Sequence, residues 1–369
     1  MKSHEVEMDY KNRSDYRVLF VTKTSRVDAP YLDPSVRYRC FNPAEALLER
    51  GVVADVISQD KLDAAYVANY DAFVFHRPDP VFMSMSLFVK LAKSKGKAVI
   101  ADYDDLIFNP EYALKSSLFL NGGASKDKVR EIFWRNYKAF RLFDFFSVST
   151  SPLAEQVLSL NPKAKVAVVP NGLSRSMLGS YKQPVHKKDN AFGGYKVFSY
   201  LSGTASHAPD IAFIGDVLAD LLSSRKNVRI AIAGPVKLPD SLTNSPGILR
   251  IPYREFFDFF PSAAGFYANI APLAAGNVFN NCKSALKFFE SGIWGVPTVA
   301  SPIEDFKRFA DSPGLVLAET PEDWSSALEA VLDEDRHRNM VAGLREYCLE
   351  HCMADGPAEV LLSFLKEIC

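Results

Sequence analysis

The sequence predicts an α/β protein made of two doubly wound halves, each a mainly parallel sheet with helices on both faces. Three observations predict this. Short apolar runs alternate with helical stretches along nearly the whole chain. One polar segment, 179–194, interrupts the alternation. At 369 residues the chain is long enough for two separate cores.

The first half opens with the apolar run RVLFV at 17–21, which reads as a buried strand. Residues 37–50 read as a helix that stops at Gly51. Strands follow at 52–57, 72–75 and 98–101, with a helix at 82–95 between the last two. Runs at 145–149 and 166–169 complete the series, and Pro170-Asn171-Gly172 ends it. The segment 179–194 contains Pro184, three lysines and Gly193-Gly194, the composition of a linker. A second series runs through 196–201, 228–233, 247–251, 268–272, 296–300 and 315–317. Three helices follow, at 321–332, 335–352 and 357–368. The expected organisation is a first domain at 1–178, a linker at 179–194, a second domain at 195–352 and a terminal helix at 353–369.

Composition narrows the class. Hydrophobic content of 48% and charged content of 24% are ordinary for a globular protein. A net charge of −1 argues against a nucleic-acid partner for the molecule as a whole. The five cysteines are scattered; Cys348 and Cys352 have no second pair to make a zinc site, so reduced thiols are expected. Residues 1–16 lack the apolar stretch of a secretory signal, and no run reaches the length of a membrane span. A cytoplasmic protein is expected. One segment suits an anionic membrane surface. From Lys126 to Phe143 the chain carries six basic and two acidic residues, with Ile132, Phe133, Tyr137 and Phe140 on one helical face. The bland alternative is a core-packed helix with a solvated charged side.

The stretch IAPLAAGNVFNNCKSALKFFESGIWGVPTVAS, 270–301, is the most informative. It reads as buried strand, polar loop, helix, glycine turn and second buried strand. Asn281, Lys283 and Ser284 fall where the helix should begin, a position that favours an anion, and Lys283 adds a full charge. Lys287 lies one turn on. Glu290 lies about two turns on, where a carboxylate can accept from two ribose hydroxyls. Phosphate beside ribose is the pattern of a nucleotide site.

The segment ESGIWGVPTV, 290–299, resembles the E-A-x-A-x-G-x-P-V segment of GT-B nucleotide-sugar glycosyltransferases, especially family 4. VAVVPNGL, 166–173, resembles the end of their first domain, and S-G-T-x-x-H-x-x-D at 202–210 resembles a variant found in polysaccharide-assembly enzymes. The resemblance implies a GT-B fold: two Rossmann-like domains facing a cleft, with a C-terminal helix crossing back to the first. It implies that Glu290 holds the donor ribose. It implies a hexosyl- or deoxyhexosyltransferase that retains anomeric configuration, works on polysaccharide, and needs no cofactor or metal. Its substrates would be a nucleotide-sugar donor and a glycan or lipid-linked glycan acceptor. The sequence departs from the pattern in two places. The family's earlier glutamate is replaced by Cys282, and the usual Arg/Lys pair is missing from the loop after 201.

The remaining candidates follow from position. Ser202, Gly203, Thr204 and His207 follow the first strand of the second half, where small and hydroxyl residues suit a phosphate. Asp102, Asp104 and Asp105 follow a strand of the first half. Asp-x-Asp can hold a divalent metal in other glycosyltransferases, but in a GT-B frame these carboxylates line the acceptor side. Asp104, Asp105 and His76 are the candidate acceptor-facing catalytic groups. Arg37 and Arg39 can hold an anionic acceptor or face solvent. Base recognition is expected near Gly234-Pro235 and 252–256. A nucleotide-sugar epimerase of the same fold and a non-catalytic nucleotide- or glycan-binding partner are the alternatives.

Overall fold

The computed structural model describes residues 14–80, 83–120, 122–179, 192–202, 207–252 and 254–368. Gly203 and Thr204 lie outside them, as does most of the expected linker.

The described residues form two six-stranded sheets in which every pair is parallel. The first contains β1 (Ser14–Thr22), β2 (Val52–Ser58), β3 (Ala72–His76), β4 (Ala98–Tyr103), β5 (Phe145–Val148) and β6 (Lys165–Val168). Its order is β2-β1-β3-β4-β5-β6. The second contains β7 (Lys196–Leu201), β8 (Val228–Ala233), β9 (Ile248–Ile251), β10 (Ala268–Ala271), β11 (Thr298–Ala300) and β12 (Leu315–Leu317). From the far edge its order is β9-β8-β7-β10-β11-β12, the dinucleotide-fold order. β3 and β4 are buried along their whole length, which is why they read in sequence as short continuous apolar runs.

The helix Asp355–Glu367 returns to the first sheet. Its Ala358, Leu361 and Leu365 are buried with Val18 and Phe20 of β1 and Leu47 of the helix Asn42–Glu49. The chain crosses at a tight junction. Leu173 N–H donates to the Cys352 carbonyl, and Ala354 N–H donates to the Leu173 carbonyl, both at 2.8 Å. A Cβ on Gly172 would lie 2.7 Å from Ala354 backbone atoms, so a residue without a side chain is required there.

Two sequence expectations are corrected in detail, and one alternative is decided. The helix expected at 37–50 begins as a π-helical turn, Arg37–Phe41, before the regular helix Asn42–Glu49. The helix expected at 335–352 is two helices, Glu334–Val341 and Leu344–His351, divided at Gly343, whose φ is +75°. The apolar face of 126–143 is spent on the core. Phe133 and Phe140 of the helix Lys126–Phe140 are buried, with Phe140 stacked 4.6 Å from Phe146 of β5. Its exposed side keeps Lys126, Lys128, Arg130, Lys138 and the aromatic Trp134. Among the described residues no helix is long and apolar enough to cross a membrane.

Candidate functional site

Open parallel sheets bind ligands at the carboxyl ends of their strands, where strand order reverses. The second sheet reverses between β7 and β10, and the first between β1 and β3. The loops leaving these strands face one another across a cavity of about 540 Å³. Ser202, His207 and Leu273 line it from the second half, and Arg77, Asp104 and Asp105 from the first.

The floor on the second half is Lys283, Ser284, Lys287 and Glu290. Asn269 of β10 fixes this segment by donating to the Lys287 carbonyl at 3.0 Å. The Lys287 ammonium is shielded from water and has no hydrogen-bond partner among the described residues. It sits 4.7 Å from the centre of the Tyr200 ring. Burial, reinforced by Lys283 and opposed by Asp210, pushes it down to about 8. Asp210 and Glu290 offset its burial without hydrogen bonding to it, which makes the ammonium a candidate contact for an anion. Ser284 accepts from Asn171 Nδ2 at 3.0 Å, which leaves its hydroxyl proton for a ligand. Lys283 lies 3.5 Å from Asp105 across the cleft.

The helix here starts later than the sequence implied. It spans Leu286–Gly292, and the Ala285 N–H donates to Asp305 Oδ2 at 2.7 Å. Lys283 and Lys287 bring two positive charges to the same segment.

Glu290 accepts a hydrogen bond from Tyr38 of the first half, with an O···O distance of 2.5 Å. Burial raises its carboxyl above the usual range, against the pull of Tyr38, Arg37 and Lys287. His207 is tied to Asp210 at 3.0 Å, and Asp210 also accepts from Asn280 Nδ2 and the Ala274 N–H. Burial and Lys287 lower the His207 ring, with Asp210 opposing them. The ring is therefore neutral at neutral pH. Ser202 donates its hydroxyl proton to the Ala233 carbonyl at 2.8 Å, so it meets a ligand as an acceptor.

Opposite, Asp104 receives Arg77 Nε at 2.6 Å and lies 3.3 Å from His76 Nε2. Burial raises Asp104, but Arg77 and His76 outweigh it and hold the carboxyl well below the usual range. Arg77 has a φ of +46°, the one non-glycine residue in the left-handed region among those described.

No protein-family model matches the chain, and no curated protein sequence matches it. Solved structures do. A glycosyltransferase from Rickettsia africae aligns with a TM-score of 0.61 at 12% identity, covering 96% of this chain and 98% of its own. Anabaena HepE, solved in complex with UDP-glucose, aligns with a TM-score of 0.58 at 11% identity, covering 95% and 99%. Sucrose-phosphate synthase from Thermosynechococcus elongatus aligns with a TM-score of 0.56 at 9% identity, covering 96% and 99%. The chain has the GT-B fold. At these identities the likeness speaks to the fold alone.

Within the GT-B frame the expected residues separate. Lys283, Ser284, Lys287, Glu290, Ser202, His207, Asp104 and Asp105 share one cavity. Asn281 is exposed and outside it; its neighbour Asn280 is the buried one. His76 is 1% exposed and lies behind Asp104, with Thr22 on its other nitrogen at 2.9 Å. Arg39 and Asp102 pair with each other at 2.9 and 2.5 Å beneath the cleft, each 2% exposed, so neither faces an acceptor. Arg37 stacks 3.8 Å over Phe256 and joins the halves instead. The three aspartates diverge: Asp102 to Arg39, Asp104 to Arg77 and Asp105 to Lys283. Cys282, at the position of the family's earlier glutamate, is 1% exposed and packs into the first core beside Phe279. Gly234, Pro252 and Phe256, from the loops expected to meet the base, line the cavity. Tyr38 and Asn171 were not anticipated. Nothing in RYRC reveals that a π turn aims Tyr38 across the cleft.

Proposed function

We propose that this protein is a glycosyltransferase that moves a sugar from a nucleotide-diphosphate sugar to a hydroxyl of a glycan or glycolipid. The observation that carries the reading is the unpartnered Lys287 ammonium, set beside Lys283, Ser284 and Glu290 at the crossover of the second sheet. HepE, solved with UDP-glucose, supports a nucleotide sugar as the ligand.

The transfer breaks the bond between the anomeric carbon and the diphosphate oxygen, whose electron pair leaves with the nucleoside diphosphate. Lys287 and Lys283 oppose the charge that develops there, usually the largest contribution to such catalysis. Two ammonium groups supply that charge without a metal ion. Asp104, kept ionised by Arg77, is a hydrogen-bond acceptor that orients the incoming hydroxyl rather than a strong base. The acceptor oxygen bonds the anomeric carbon, and its proton passes to the departing phosphate oxygen; attack on the face the phosphate leaves retains configuration. Polysaccharide assembly at the cytoplasmic face of a membrane fits the exposed basic side of the helix Lys126–Phe140.

Calorimetry with UDP, GDP and dTDP in EDTA tests the reading. One nucleotide should bind the wild type, bind Lys287→Ala at least about tenfold more weakly, and fail to bind Glu290→Ala. A folded wild type that binds none of the three would end it.

A further inference from the structure

We propose that Tyr38, a residue of the first domain, is a positioning residue for the ribose of the donor, acting through Glu290. The proposal rests on the donor-site reading above.

Four observations carry it. Among the described residues Tyr38 is the one hydrogen-bond donor to Glu290, at 2.5 Å. Glu290 is half-buried and its second oxygen has no partner among the described residues, so the adjacent hydroxyls of a ribose can donate to it. Tyr38 and Glu290 both border the cavity, so a ligand reaches the carboxylate with Tyr38 in place. The tyrosine ring is 3% exposed and belongs to the second domain's core, packed edge-on to Phe289 at 6.3 Å. It is therefore held by the domain it visits. The π turn Arg37–Phe41 creates this reach. It sends Arg37 to Phe256 and Tyr38 to Glu290, both in the second half, and Arg39 to Asp102 in the first.

The consequence is that ribose recognition requires both domains. In the closed arrangement the hydroxyl occupies Oε1 and leaves Oε2 for the ligand. The charged and titratable groups facing Glu290 are Tyr38, Arg37 and Lys287. Burial raises the carboxyl and the Tyr38 hydrogen bond opposes that rise. Removing the hydroxyl therefore lets Glu290 take a proton at higher pH, and a protonated Glu290 loses acceptor capacity.

The test is UDP binding by calorimetry, without metal, from about pH 5 to pH 8. GDP and dTDP substitute if UDP does not bind. Tyr38→Phe keeps the ring and its packing. It should weaken binding about tenfold and move the acid limb of the binding profile to higher pH. In a Glu290→Gln background, Tyr38→Phe should add little, because its action runs through that carboxylate. Unchanged affinity and acid limb in Tyr38→Phe would overturn the proposal. So would tighter binding, which would make the tyrosine a lid to be displaced. Both results leave the donor site standing, whereas a wild type that binds no nucleotide removes the site and the proposal together.

Discussion

Lys287 shows how one side chain can carry a testable pH dependence. A buried ammonium without a hydrogen bond is costly, and here the cost is met partly by the Tyr200 ring and partly by a lowered affinity for its proton. That gives a signed pH dependence. Lys287 titrates near 8 in the free protein, and a bound diphosphate would raise that value. Nucleotide binding should therefore take up protons near pH 8 and weaken as pH rises beyond it. Calorimetry in buffers of different ionisation enthalpy measures the uptake, and Lys287→Met should abolish it. The sequence grouped Lys283, Ser284 and Glu290, and the structure brings them into one cavity. The contacts of Tyr38, Arg39 and Asp102 were not legible in sequence. Charge marks a residue as polar without saying whether its partner is solvent, ligand or a carboxylate 63 positions away.

At the scale of elements, strands were the most readable feature. Every expected strand exists; central strands such as β3 and β4 are covered on both faces and so are apolar along their length. Helix starts were less readable. The Leu286–Gly292 helix starts after Ser284, and the Ala285 N–H before it goes to Asp305, 20 residues on, a pairing no local pattern encodes. The helix Lys126–Phe140 was legible as amphipathic, but sequence could not say whether core or lipid would cover its apolar side. The structure assigns Phe140 to a ring cluster with Phe108 and Phe146. Phe140→Ala should cost about 3–5 kcal/mol in denaturant titration. Trp134→Ala, 53% exposed before substitution, should leave stability within about 0.5 kcal/mol. The same Trp134 variant should bind anionic vesicles less well than wild type in co-sedimentation.

At the scale of the molecule, the cleft is held by contacts that each join one domain to the other: Tyr38 to Glu290, Asn171 to Ser284, Asp105 to Lys283, and Thr150 to the Cys282 carbonyl. Three of these use a residue read as donor-binding. Closure of the domains and occupation of the site therefore draw on the same side chains. The two sheets were visible in the two series of apolar runs. The facing of the domains was not, since it depends on residue pairs more than 100 positions apart. The crossing at Gly172 is the most constrained point. Gly172→Ala places a methyl against Ala354 backbone and should lower stability by about 1–3 kcal/mol in thermal or urea unfolding.

The returning helix has a consequence for how such a protein can be inherited. Ala358, Leu361 and Leu365 complete the core of the first sheet although the second sheet separates them from it in the chain. The second half is thus an insertion within the first rather than a tail appended to it. A recombination event that exchanged everything after the first sheet would strip one core of its last helix and hand the other an apolar helix with no matching groove. Exchange that keeps both halves folded must have two breakpoints, one on each side of the second domain, and the Gly172–Ala354 contact joins the two places where they would fall.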